Sequence, residues 1–398
     1  MSSGKRLAID GGEPVRPQLL PYGRQLVEPD DIAAVVSVLR SDWLTTGPAV
    51  TQFEEAFAAS VGAPHALALS NGTAALHAAF AAIGIGQGDE VITTPLTFAA
   101  TANAVRYLGG TVVFADVCPK SLNLDAAAVR SAITPRTKAI APVDFTGLPA
   151  DLDELRGAAD QHGLAVVEDA AHALGAMYRG RRVGGISDLT TFSLHPVKHV
   201  TGGEGGVVTT NNAEFAARVQ RFRNHGITSD HRQRERQGSW HYDMVELGFN
   251  YRLTDIQCAL ALSQLHKAPR WQERRDEIAA AYGAALSSRP EIECPFVPPD
   301  RRSAWHLYVI RLNLERLRVG RTEVFRALRA ENIGVNVHYI PVPWHPYYVR
   351  LGYQRGSWPV AEAAYERLIS LPMWPGMLDR DIDDTVVALN KVLDAYAE

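Results

Sequence analysis

TFSLHPVKHVTGGEGGVV, residues 191–208, decides the fold. It opens as a short run of β-formers, breaks at Ser193, and reaches Lys198 just before the glycines of 202–206. Upstream, VVEDAAHALGA (166–176) repeats the plan: an apolar run ends in Glu168 and Asp169, then small residues and His172 follow. Short runs that are apolar throughout suit a parallel sheet covered on both faces, whose ligands sit beyond the carboxyl ends of the strands. Asp169, Ser193 and Lys198 all fall at such ends. Each alone has a plain reading: a turn aspartate, a polar strand end, a solvated loop lysine before turn glycines. The spacing GxxxxGK[ST] is absent, so this is not a Walker loop.

Working outward, the alternation extends over residues 65–210. It predicts strands at 66–70, 90–94, 112–116, 139–144, 165–168, 189–194 and 207–210, with helices between most of them. Thr73 is the expected cap of a helix over 74–82, and Asp151 of a helix over 152–162 closed by Gly163. This is α/β architecture with right-handed crossovers and a mostly parallel, seven-stranded sheet. Beyond 210 the texture changes. We expect helices at 212–222, 254–267, 269–286, 322–331 and 382–396, strands at 307–312 and 336–340, and a polar connection over 223–245. The Pro-rich run 290–299 reads as a boundary. The chain divides into an arm (1–25), a large α/β domain (26–265) and a smaller α+β domain (266–398).

Composition narrows the function. A net charge of −4 offers no global attraction to nucleic acid or an anionic membrane. No early apolar run suits a signal peptide or a membrane span. Three unpaired cysteines argue against a disulfide framework or a zinc site and for a reducing compartment, so a cytoplasmic location and no metal are expected.

A third segment, SNGTAALHAA (70–79), runs from a strand directly into a helix. Backbone N–H groups of Gly72 and Thr73, with the Thr73 hydroxyl, would cradle a phosphate there. An anion cradle, an acid at one strand end and an amine after a later strand are together what pyridoxal 5′-phosphate (PLP) requires: a phosphate site, a partner for the ring nitrogen, and an imine-forming lysine.

These segments resemble a known family. SNGTAAL, EDAAHALGA, FSLHPVKHVTGGEGG and GFNYRLTDIQCAL are similar to the sugar-nucleotide aminotransferases of PLP fold type I, the DegT-like family, from about residue 20 onward. ITTPLTFAATAN, TKAIAPVD and HALGAMYRGRRVGG resemble its pseudaminic acid pathway 4-aminotransferases, whereas the leader LAIDGGEPVRP resembles the aminocyclitol branch. The resemblance implies that Lys198 carries PLP as a Schiff base, that Asp169 pairs with the pyridinium nitrogen, and that His172 lies near the ring. It implies Phe98 over the ring face, Gly72, Thr73 and Ser193 at the phosphate, and Asn250 reaching the phosphate of a second subunit in a homodimer with shared sites. His172 and Phe98 also read as buried core residues.

For the substrate, His306 and Tyr308 alternate in WHLYVI, which puts both on one face of a strand, and His338 and Tyr339 lie in VNVHYIPV. These four are the substrate candidates. The basic run 221–236 reads as a solvated loop, Arg221 excepted. The expected reaction passes an amino group from glutamate to a nucleotide-linked 4-keto-6-deoxy sugar by a ping-pong mechanism. A keto-cyclitol acceptor and a non-catalytic protein retaining the fold are the alternatives.

Overall fold

The computed structural model describes residues 6–398 except 230 and 237, with side chains of 231–233 also outside the description. Residues 1–5 of the expected arm therefore lie outside it. The strands, in chain order, begin with β1 (His65–Leu69), β2 (Glu90–Thr93), β3 (Thr111–Phe114), β4 (Thr137–Ala141) and β5 (Ala165–Asp169). A hairpin of β6 (Met177–Tyr178) and β7 (Arg181–Arg182) precedes β8 (Leu189–Ser193) and β9 (Gly206–Thr210). Seven of these form the main sheet in the order β1-β9-β8-β5-β4-β2-β3. Neighbours from β8 through β3 are parallel, and β9 alone runs against both its neighbours.

The two-residue strand period explains the layers. Val91, Ala139, Ala141 and Val167 pack on one face against the helix Gly72–Ala82, through Ala75, Leu76 and Phe80. Their neighbours Ile92, Ile140 and Val166 point the other way and pack on Leu155, Ala158 and Ala159 of the helix Leu152–His162. A strand buried on both faces is mostly apolar, and each buried Val or Ile contributes about 1.5–3 kcal/mol. The helix Gly72–Ala82 is Ala-rich, which allows it to lie close under the strands that end at the cleft.

Two expected caps differ. Asn71, not Thr73, caps the helix Gly72–Ala82: its carboxamide oxygen accepts from Ala74 N at 2.8 Å, and Thr73 stands in the first turn. Asp151 precedes the helix Leu152–His162 without capping it, because its carboxylate accepts instead from the Tyr178 hydroxyl (2.8 Å) and Arg301 (2.9 Å). Gly163 does close that helix, at φ 64°.

Beyond the helices Ala213–Phe222 and Asp255–Leu265, which pack with the main sheet, the chain builds a second layer. Its strands are β10 (Ile292–Glu293), β11 (Arg301–Arg302), β12 (Tyr308–Leu312) and β13 (Leu368–Leu371). β10, β12 and β13 form an antiparallel sheet, while β11 pairs with β6. Ile278, Tyr282, Ile310, Leu328, Ile369 and Leu389 share its core. The Pro-rich run 290–299 is thus not a break between layers, since β10 lies within it. The expected strand 336–340 does not form. Asn336 exchanges hydrogen bonds with Ser370 at the free edge of β13, and the chain then leaves the sheet toward Pro341 and Pro343, which have no N–H to continue a ladder.

Residues 6–25 are laced to this layer. The Glu331 carboxylate accepts from Ala8 N and Val15 N, both at 2.9 Å, and pairs with Lys391 at 2.8 Å. Leu20 bridges Ile333, which delivers Tyr22 to the mouth of a cleft. No helix among the described residues is long and apolar enough to cross a membrane.

Candidate active site

A cleft of about 740 Å³ opens beyond the carboxyl ends of β5 and β8, between the main sheet and the second layer. Of the sequence-predicted residues, Gly72, Thr73, Phe98, Asp169, His172, Ser193, Lys198, His306, His338 and Tyr339 line it.

Asp169 is the last residue of β5 and is locked by its backbone. Its N–H donates to Pro142 O at 2.8 Å, and its carbonyl accepts from Asp144 N at 3.1 Å. Its carboxylate accepts from the Thr101 hydroxyl (2.7 Å) and from Ala171 N (3.1 Å). Burial pushes its pKa above the usual carboxylate range, while Thr101, Ala171 N–H and Lys198 act in the opposite sense.

At the start of the helix Gly72–Ala82, Asn71 uses its side chain on Ala74 N and its carbonyl on Ala75 N. The amides of Gly72 and Thr73 remain for an anion at the positive end of the helix. Ser193, at the end of β8, faces them so closely that a Cβ on Gly72 would lie 3.2 Å from the Ser193 Cβ. Lys198 follows in the next turn. Its Nζ lies 3.4 Å from His306 Nε2, and burial lowers its pKa to about 7 against a smaller opposing pull from Asp169.

His172, after β5, is 5% exposed. Its Nε2 meets the Tyr339 hydroxyl at 3.1 Å and its Nδ1 has no partner among the described residues. Burial holds it well below the usual histidine pKa. Phe98 is not core: it is 62% exposed and its ring stands 6.1 Å from that of Tyr339. His338 bonds Ser370 Oγ through Nδ1 at 2.7 Å, packs on Tyr22, and is pushed by burial to a pKa of about 4.

Tyr308 is a correction. β12 begins only at Tyr308, and Trp305 adopts a left-handed conformation (φ 49°) that rotates His306 out of strand alternation. Tyr308 is buried against Tyr282 and Trp305 in the core of the second layer and does not reach the cleft, while His306 does. Asn250 is exposed and pairs with Asn224 through its backbone; it is not among the residues that line this chain's cleft, although its neighbour Tyr251 is. In the basic run 221–236, Arg221 pairs with Glu246 at 2.7 Å, and Arg223 holds Glu54 and the Ala68 carbonyl. Three contributors were missed. Thr101 sits one turn beyond Phe98 within the quoted ITTPLTFAATAN, so its spacing was a usable signal; Asn71 lay beside the expected cap; Tyr22 carried none.

The model of the DegT/DnrJ/EryC1/StrS aminotransferase family matches residues 25–390. The chain belongs to that family. It is 44% identical over 381 residues to the spore coat polysaccharide biosynthesis protein SpsC of Bacillus subtilis, covering 95% of this chain and 98% of SpsC. PseC of Helicobacter pylori, an aminotransferase involved in pseudaminic acid biosynthesis, superposes with a TM-score of 0.89 at 31% identity, over 95% of this chain and 100% of PseC. Spr1654 of Streptococcus pneumoniae, assigned as a sugar aminotransferase, matches at 30% identity. Its pyridoxamine form gives a TM-score of 0.90 over 94% of this chain and 99% of Spr1654. Its PLP form has also been solved.

The chain is therefore a sugar aminotransferase, and PLP is its cofactor. The residues present fit that group. The helix-end amides and Ser193 suit its phosphate, Asp169 suits a protonated ring nitrogen, His172 lines the same cleft with its Nδ1 without a partner among the described residues, and Lys198 supplies an amine whose pKa burial lowers to about 7.

Proposed function

We propose that this enzyme moves an amino group from glutamate to C4 of a nucleotide-linked 4-keto-6-deoxy sugar by a ping-pong cycle. The observation that supports the reading is a single cleft lined by both Lys198 and Asp169, as a ping-pong cycle with two successive substrates would need. Similarity to PseC over nearly the full chain supports the acceptor class. When bound, the cofactor supplies a protonated ring that takes up the electron pair left by a broken C–H bond. In our reading Lys198 holds the cofactor covalently and, once free, moves the proton between carbon centres. Asp169 keeps the ring nitrogen protonated, with Thr101 and Ala171 N–H aiming its carboxylate. Gly72, Thr73 and Ser193 hold the phosphate, Phe98 covers the ring, and His172 borders it. His338 and Tyr339 line the acceptor side.

We also propose a homodimer in which Asn250 serves the partner's site. Trp240 is 85% exposed and Leu247 80%, with Met244 and Val245 exposed between them. Exposed apolar side chains of this kind near Asn250 fit burial against a second copy. Mixing inactive Lys198→Ala with inactive Asn250→Ala restores activity if sites are shared, because one heterodimer site keeps both residues. Verified subunit exchange without recovery refutes the shared site.

The acceptor is tested by incubating the enzyme with glutamate and a panel of keto sugars, with mass detection of amino products. A nucleotide 4-keto sugar should be aminated best. Preference for a nucleotide-free keto-cyclitol moves the enzyme to the branch that its leader LAIDGGEPVRP resembles.

A further inference from the structure

We propose that His306 is a catalytic hydrogen-bond acceptor for the Lys198 amine, used in both half-reactions, rather than a contact to the acceptor sugar. Its Nε2 stands 3.4 Å from Lys198 Nζ, and the ring is 5% exposed. It is held between His172, at a ring distance of 4.4 Å, and His199, at 5.6 Å. Its Nδ1 has no partner among the described residues, so the one hydrogen bond the side chain makes is to the lysine.

The backbone around it is fixed from several sides. Arg275, 1% exposed, donates to the carbonyls of Trp305 (2.9 Å), His306 (3.4 Å) and Met373 (3.4 Å). His199 Nε2 meets Ala304 O at 2.8 Å, and Ala304 N donates to Gly147 O at 2.8 Å. A buried guanidinium spent on carbonyls is costly, and here it anchors the left-handed turn that swings His306 to the lysine. Burial disfavours an imidazolium at His306, and so do the groups facing it: Lys198, His172, His199 and Arg275.

The chemistry follows from that neutrality. A free Lys198 amine can take a proton from a substrate carbon only through its lone pair. By donating one N–H to His306 Nε2, the amine keeps that lone pair available. The carbon–hydrogen bond breaks, its electrons stay with the carbon framework, and a new N–H bond makes Lys198 an ammonium. The same contact is then charge-assisted and stabilises the ammonium. The ammonium returns a proton to carbon, and His306 begins and ends the cycle neutral. This step is common to both substrates, so it does not depend on which sugar is the acceptor.

The test uses full-length holoenzyme. Each half-reaction is followed separately in single turnover: pyridoxamine formation from glutamate, and its reversal by the keto sugar. H306A should slow both by a similar factor, about a hundredfold. H306Q, whose amide oxygen can reach the Nε2 position, should recover most of the loss. The readout independent of activity is long-range nitrogen NMR of histidine-labelled enzyme in the pyridoxamine form, where Lys198 is free; H306Q identifies the resonance. His306 should be neutral with the proton on Nδ1, and its Nε2 shift should move in Lys198→Met. H306Q and the NMR reading stand even where H306A folds poorly. A loss confined to the sugar half-reaction, an H306Q as slow as H306A, or an Nε2–H tautomer overturns the proposal.

Discussion

The two walls of the cleft are built in different ways. On the sheet side, Asp169, Ser193 and the Gly72 and Thr73 amides stand at a strand end or a helix start, and the backbone fixes them before any side chain acts. Asp169 is bonded through its N–H and carbonyl, and the Gly72 and Thr73 amides are themselves backbone. On the opposite side, His338 and Tyr339 come from irregular chain and are set by side-chain contacts, Ser370 for His338 and His172 for Tyr339; His306, whose backbone Arg275 pins, belongs with the invariant chemistry instead. A wall fixed by backbone suits chemistry that never varies between substrates. A wall fixed by side chains can be changed without disturbing the sheet, which suits choice of acceptor.

The comparison breaks most visibly at Lys198. Lys198→Ala should abolish turnover while much of the cofactor still binds, since the phosphate cradle and Asp169 remain. Borohydride should fix the wild-type cofactor on Lys198, and peptide mapping that finds the label on another lysine ends the assignment. The next largest effect is on pH. Burial lowers the Lys198 pKa to about 7, so the free amine prevails above that value and is lost below it. The sugar half-reaction, which starts from the pyridoxamine form with Lys198 free, should fall about tenfold per unit below pH 7 and level off above it; a flat profile between pH 5.5 and 9 would contradict the stated role.

Smaller effects separate the walls. Thr101→Val removes a 2.7 Å hydrogen bond to the Asp169 carboxylate with little change of shape. A bond of this kind contributes about 1.5–3 kcal/mol. Cofactor affinity should drop about tenfold or more, and both half-reactions should slow together. His338→Ala should raise KM for the sugar several-fold and leave pyridoxamine formation from glutamate within about a factor of two. Equal slowing of both half-reactions by His338→Ala would erase the distinction between the walls.

The same distinction explains what could be read before the structure. Asp169, Ser193 and Lys198 were legible because a run of apolar residues announces a strand and the next few residues must lie at its end; the information is local. The seven-stranded sheet was legible for the same reason. His306 and Tyr308 were paired wrongly because their orientation depends on a left-handed Trp305, on Arg275 from a distant helix, and on β13, whose four residues gave no separate signal. VNVHYI alternates like a strand, yet it has a ladder partner only at Asn336. Thr73 lost the capping role because Asn71, one residue before the helix, reached Ala74 N first. The leader carried no hint that Tyr22 would meet His338, since that contact depends on Leu20 finding Ile333.

That lacing of residues 6–25 onto the second layer has a consequence for the order of assembly. The bond from Ala8 N to the Glu331 carboxylate spans 323 residues. Closing so long a loop is entropically expensive and slow, whereas β1 to β9 pair over shorter spans and leave the ribosome before Glu331 does. The cofactor cradle, from Asn71 to Lys198, is therefore complete in chain terms while the start of the polypeptide still waits for its dock. Tyr22 and His338 come together last. In the life of each molecule, the floor of the cleft is in place before the wall that faces it.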